Sequence, residues 1–248
     1  VQFFLKKLLP SIFSSGVTQI NILVGTIIAS FEAGAVSYLY YADRIYQINL
    51  AIAGIAVGTV SLPVLSKSLK LKKFGNVKNI QNKSIELCLL LSVPASLGLI
   101  LASEEIINAL FGYGSFTNSD VTMTAKALKY FGYGIPAFAL IKVLSNFYFA
   151  RDNTKTPFYL SLFSVVLNIA ISLLLFKKIG FIIIPIATSI STWLAVILYF
   201  ILLGKSKFLF FENLPLYNFF KIIFCTFIMS FVLYYGLSFF EDKLAYDN

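Results

Sequence analysis

Apolar residues run along this chain in stretches of roughly twenty, parted by short polar intervals rich in lysine, asparagine and glycine. Seven such stretches can be read, at approximately residues 8–31, 36–62, 86–107, 126–149, 157–176, 180–203 and 218–240. Each is long enough to cross a hydrocarbon layer of about 30 Å as a helix. Backbone groups in lipid must pair within their own segment, and unbroken apolar runs do not alternate as barrel strands do. The expected fold class is an all-α membrane protein, a polytopic transmembrane helix bundle of about seven spans. Proline punctuates the pattern. Pro10 and Pro157 fall at first-turn positions, with Thr154 and Thr156 as candidate caps, and Pro63 closes the second stretch. Pro94, Pro136 and Pro185 lie inside spans and predict kinks there.

Composition supports the same class: the 248 residues are 58% hydrophobic and 12% charged, whereas soluble domains carry about a quarter charged residues. The net charge of +9 does not point to nucleic acid, because the lysines cluster between the spans, where they set orientation. With alternate loops assigned to opposite sides, Lys6, Lys7, Lys67, Lys70, Lys72, Lys73, Lys78, Lys83, Arg151, Lys155, Lys205, Lys207 and Lys221 share one side. Lys126, Lys129, Lys177, Lys178 and Lys243 fall on the other, with Glu32, Glu104, Glu105, Asp120, Glu241, Asp242 and Asp247. The lysine-rich side is expected to face the cytoplasm, which makes residue 1 cytoplasmic. The run "KSLKLKKFGNVKNIQNK" reads as a solvated loop that sets topology, with anionic lipid as the competing partner. Cys88 and Cys225 sit in apolar runs as small core residues, and the absence of histidine removes His-based triads and most zinc sites. The opening valine and the polar run from Glu241 to Asn248 suggest a piece of a longer chain, with no signal peptide visible.

Polar residues inside the spans carry the functional argument. In the first span Ser11, Ser14, Thr18, Asn21 and Gly25 recur every three or four residues, and the fifth repeats the design with Ser161, Ser164, Asn168 and Ser172. Such stripes serve either interhelical hydrogen bonding or a water-filled cavity. The second span places Tyr40, Arg44, Gln47, Ala51, Gly54 and Gly58 on one face, polar above and small below, with a GxxxG step for close helix contact. Arg44 lies about 12 Å in from the extracytoplasmic end at 1.5 Å per residue. Its neighbour Asp43 points about 100° away on a helix and is a poor partner, leaving the guanidinium partly uncompensated. Lys142 is a second buried-span cation, about 13 Å from Arg151. Snorkelling is the structural alternative for both. An interior with two cations and few acids suits an anionic substrate. No enzyme constellation is present: Glu104 and Glu105 are adjacent at a helix end, and "GYGSF" lacks the following lysine of a phosphate-binding loop. Polar-lined spans without catalytic chemistry indicate a translocator, and no cofactor is expected.

The strings "VTQINILVGTIIASF", "VSYLYYADRIYQINLAIAGIAVGTVSLPVLSK", "LFGYGSFT" and "KVLSNFYFARDNTKTP" resemble the second half of the MurJ/MviN family of lipid II flippases, within the multidrug/oligosaccharidyl-lipid/polysaccharide exporter superfamily. The resemblance covers nearly the whole chain, and "YYADR" and "R-D-x-x-K-T-P" are its specific part. It implies that residues 1–248 form the second lobe of a two-lobed, fourteen-helix flippase of the bacterial inner membrane. Such a protein moves undecaprenyl-pyrophosphate-linked peptidoglycan precursor from the inner to the outer leaflet. The implied partners are lipid II, membrane lipids and the peptidoglycan synthesis machinery. It also implies that Arg44 engages the pyrophosphate; from their places on the polar faces and in the spans, Asp43, Gln47 and Lys142 are expected beside it, with Ser14, Thr18, Asn21, Tyr40 and Asn168 lining the cavity. Some family members bind sodium through two acids with an asparagine and a threonine. The corresponding positions here are Gly25, Ser172, Asn168 and Thr188; both acids are missing, so no metal site is expected. The competing readings are an exporter of polysaccharide units or drugs from the same superfamily, and a non-transporting membrane scaffold.

Overall fold

The computed structural model describes residue 16 and residues 19–208 and 216–246. These residues form helices and turns, with no strand among them. Helix α1 is described over Gln19–Ala29. Next come α2 (Ala35–Leu50), a π-helical segment (Ala51–Ala56) and α3 (Val57–Lys70), which together make one continuous rod. Then follow α4 (Phe74–Leu101), α5 (Ser103–Phe111), α6 (Asn118–Gly132), α7 (Ile135–Phe149), α8 (Lys155–Ile179), a 3₁₀ turn (Gly180–Ile182), α9 (Ile183–Lys205) and α10 (Leu216–Tyr246).

Four helical stretches among the described residues are long and apolar enough to cross a membrane: Ala35–Lys70, Phe74–Leu101, Lys155–Lys205 and Tyr217–Phe239. The bent pair α6–α7, broken by 42°, makes a fifth. The Lys155–Lys205 stretch turns back on itself at Gly180, whose φ of +76° is the left-handed conformation that favours glycine. Asn168 on α8 therefore reaches Thr188 on α9, and the two helices lie side by side.

Several boundaries differ from the sequence reading. Pro63 does not close its helix, which continues to Lys70. The "KSLKLKKFGNVKNIQNK" run is mostly helical, because α4 begins at Phe74 and the turn between α3 and α4 is tight. Lys72 adopts φ +53° there, and the amides of Lys72 and Lys73 bond back to the carbonyls of Leu69 and Ser68. Val77, Gln81, Ser84, Ile85 and Cys88 are buried at helical spacing, so this polar half-helix packs one face against the bundle and keeps lysines on the other. Pro136 and Pro185 sit in the first turns of α7 and α9, where a missing N–H costs nothing, and not in helix interiors; Pro94 does lie inside α4. Helix α8 is capped by neither Thr154 nor Thr156. Asn153 Oδ1 accepts from the Thr156 amide at 3.1 Å instead.

The core divides into two clusters. One gathers Ile28, Ala42, Ile45, Tyr46, Leu128, Phe131 and Phe181; the other gathers Leu65, Val77, Ala139, Leu144, Phe147 and Tyr199. The GxxxG step does what its spacing predicts. A Cβ on Gly54 would stand 2.9 Å from the Ala139 Cα, and Asn146 Nδ2 donates to the Gly58 carbonyl at 2.8 Å, so α7 lies directly against this part of the long rod.

Candidate anion site on the long rod

Helix α2 presents Tyr40, Arg44 and Gln47, all exposed, one turn apart. Arg44 Nη2 donates to the Tyr40 hydroxyl at 2.9 Å, and its guanidinium carbon stands 4.6 Å from the centre of the Tyr40 ring. Half-buried Asp43 instead accepts from Gln47 Nε2. Two i, i+4 pairs thus run in parallel, and the carboxylate next to Arg44 in sequence is engaged elsewhere. Among the described residues the hydrogen bond of Arg44 goes to a neutral hydroxyl, which leaves its charge and its remaining donors for an anion. Gln47, by contrast, has spent a donor on Asp43.

Below this turn the π-helical segment Ala51–Ala56 changes what faces where. Ala51 is exposed like Arg44, whereas Gly54 and Gly58 are buried against α7. The wider turn of a π segment advances the helix face, so the stripe that is straight in an ideal α-helix passes from open surface into a helix contact. Lys142 is exposed on α7. Its carbonyl lies 3.7 Å from where a Gly58 Cβ would be, which sets it at the level of Gly58. Gly58 is about 20 Å along the rod from Arg44 at 1.5 Å per residue. The structure therefore separates the two cations by depth.

The remaining polar positions converge at a second point, between α1, α8 and α9. Asn168 Nδ2 donates to Asn21 Oδ1 at 2.9 Å and to Thr188 Oγ1 at 3.2 Å, Ser172 Oγ donates to Asn168 Oδ1 at 3.3 Å, and Thr188 Oγ1 donates to the Ile184 carbonyl at 2.6 Å. Asn168 is only 6% exposed. Gly25 packs beside this knot, where an added Cβ would meet the Ile184 side chain at 3.7 Å. Ser14 and Thr18 lie outside the described residues. The knot has no carboxylate, and its amide and hydroxyl groups bond to one another. It does not fit a sodium ion, and among the described residues no group of three or more Cys, Asp or Glu side chains is placed to hold a metal.

Two features carried no signal in the sequence. Glu32, between α1 and α2, accepts from the Phe181 amide at 2.7 Å, and the missing Cβ of Gly180 leaves room for its carboxylate. Its partner is a backbone group far along the chain, which no local pattern announces. The other is a row of rings: Tyr41 stands 4.8 Å from Phe111, 5.5 Å from Phe116 and 5.9 Å from Tyr40.

Comparison with known proteins gives this architecture a family. A family model described as "Lipid II flippase MurJ" matches residues 1–247. A probable lipid II flippase MurJ from Rhizobium tropici is 42% identical over 197 residues, covering 79% of this chain and 37% of that protein. One from Haemophilus influenzae is 32% identical over 239 residues, covering 93% of the chain and 46% of that protein. Among solved structures, a lipid II flippase MurJ in an inward closed conformation superposes with a TM-score of 0.82 at 33% identity, over 95% of this chain and 48% of that one. A multidrug resistance MATE family transporter in an outward-facing conformation shares the fold at TM-score 0.69 and 16% identity. The chain spans less than half the length of the flippases it matches.

Proposed function

The chain belongs to the lipid II flippase MurJ family, and from that membership we propose that it is one lobe of a flippase carrying an undecaprenyl-pyrophosphate-linked peptidoglycan precursor across the bacterial inner membrane. The observation that carries the reading is Arg44: an exposed guanidinium on an apolar helix, hydrogen-bonded to a hydroxyl while its neighbouring carboxylate accepts from Gln47. A charge in such a segment costs about 3 kcal/mol or more, and a planar fork of donors repays that cost best on a phosphate. Transport proceeds by alternating access between two lobes, with the pyrophosphate in the cavity and the lipid tail in the bilayer. No bond is made or broken. Lys142 serves the same anion at a different depth, so the headgroup meets it before Arg44 on the way out. The neutral knot at Asn168 stiffens one side of the lobe and takes no part in cation binding.

The test is made in bacteria depleted of their own flippase and supplied with the complete reading frame that contains this chain. Lipid II exposed on the outer leaflet is restored by the intact protein and falls by about tenfold or more with Arg44→Ala, the loss expected for one charge-assisted phosphate contact. Equal exposure with and without the alanine would remove Arg44 from the substrate path.

A further inference from the structure

The hydrogen bond of the Arg44 guanidinium goes to Tyr40 and not to the adjacent Asp43, so its direction depends on Tyr40. One donor, Nη2, is fixed on the Tyr40 hydroxyl at 2.9 Å, and the ring lies 4.6 Å below the guanidinium carbon. Tyr40 is itself 54% exposed and has little packing of its own to hold it. What steadies it is Tyr41, whose ring meets Tyr40 edge to face at 5.9 Å. Tyr41 in turn is set against Phe111 and Phe116 at 4.8 and 5.5 Å. Phe111 ends α5, and Phe116 is the last residue of the "GYGSF" turn that leads to α6. That turn has a defined local conformation. Gly114 takes φ +69°, the Tyr113 amide bonds to the Phe111 carbonyl at 2.7 Å, and Thr117 and Asp120 form a capping box at the start of α6. A continuous path of rings therefore leads from the α5–α6 turn to the arginine.

We propose that Tyr40 is a positioning residue for the anion site: its hydroxyl and ring hold one hydrogen of Arg44 Nη2, leaving the other edge of the guanidinium as a preset pair of donors for a pyrophosphate, and the α5–α6 turn sets Tyr40 through Tyr41. An exposed arginine samples many rotamers, and ordering them before the ligand arrives lowers the cost of binding. The cation–π contact adds a restraint without neutralising the charge, which an aspartate in the same place would do. The "GYGSF" turn, which lacks the lysine of a phosphate-binding loop, thus acts on phosphate only at one remove.

This role rests on the anion reading of Arg44, and the experiment separates the two. The complete protein in lipid nanodiscs is titrated with inorganic pyrophosphate, and binding is measured for wild type, Arg44→Ala, Tyr40→Phe, Tyr40→Leu and the Arg44→Ala/Tyr40→Leu double variant, with thermal melting to confirm folding. Arg44→Ala is expected to weaken binding by about tenfold, Tyr40→Leu by about fivefold and Tyr40→Phe, which keeps the ring, by less than the leucine. In the Arg44→Ala background Tyr40→Leu adds no further loss, because there is nothing left to position. Wild-type affinity in Tyr40→Leu, or the same loss with and without Arg44, overturns the positioning role. Should Arg44→Ala bind as well as wild type, the anion reading itself fails.

Discussion

Arg44 shows how much of a site a single residue can announce and how little of its wiring. A guanidinium inside an apolar run is conspicuous from composition alone, and helical geometry already makes Asp43 a poor partner. The actual pairing, Arg44 with Tyr40 and Asp43 with Gln47, depends on rotamers that the sequence does not encode locally. It also changes the status of Gln47, which reads as a ligand from its face and is partly spent on Asp43. The arrangement makes a sharp prediction for a conservative substitution. Arg44→Lys keeps the charge but replaces a planar fork with a point charge that cannot both hold the Tyr40 hydroxyl and present two parallel donors. We expect outer-leaflet lipid II exposure to fall by about tenfold in this variant, close to the alanine, whereas a purely electrostatic role would leave it near wild type. The same exposure assay in flippase-depleted cells decides between them.

At the scale of elements, long apolar periodicity was easy to read and helix ends were not. The sequence places a loop where α4 begins, because lysine and asparagine dominate residues 72–83. Only the spacing of Val77, Gln81, Ser84, Ile85 and Cys88, which becomes visible as a buried face once the bundle exists, makes that stretch a helix. Pro63 misled for a related reason: neighbouring helices tolerate a lost hydrogen bond in lipid, so a proline there is weaker punctuation than in water. The contact least visible beforehand, Glu32 to the Phe181 amide, ties the α1–α2 junction to the α8–α9 hairpin. It joins the same elements as the Asn21–Asn168 bond deeper in the bundle, so α1, α8 and α9 are pinned at two levels. Removing the acceptor should loosen one of them. Hydrogen–deuterium exchange at the Phe181 amide is expected to quicken by about tenfold in Glu32→Ala and to stay slow in Glu32→Gln, whose side-chain carbonyl still accepts. Identical protection in the alanine variant would mean that the hairpin holds itself without Glu32.

Across the whole molecule the two ends differ in charge, and this asymmetry is the most legible feature of all, because it needs only the order of spans and a count of lysines. The structure groups the charges by element. Lys67, Lys70, Lys72 and Lys73 flank the α3–α4 turn, while Glu32 precedes α2 and Asp120 opens α6. Tyr38 donates to Asp120 at 2.8 Å, which brings the starts of α2 and α6 together at the acidic end. The Arg44 turn belongs to that end of the rod, and Lys142 to the other half. The direction of substrate movement therefore hangs on orientation, and orientation can be measured directly. With Cys225, which is exposed, replaced by serine and Cys88, which is buried, left in place, single cysteines are introduced at Lys72 and at Tyr113, both on exposed turns. In intact cells an impermeant maleimide is expected to label Tyr113→Cys, and to label Lys72→Cys only after the membrane is opened. The reverse pattern would turn the molecule over and place Arg44 nearer the cytoplasm. The anion would then meet the arginine at the start of its path, and the site would govern loading of the headgroup, where the orientation proposed from the lysine count has it govern arrival at the outer leaflet.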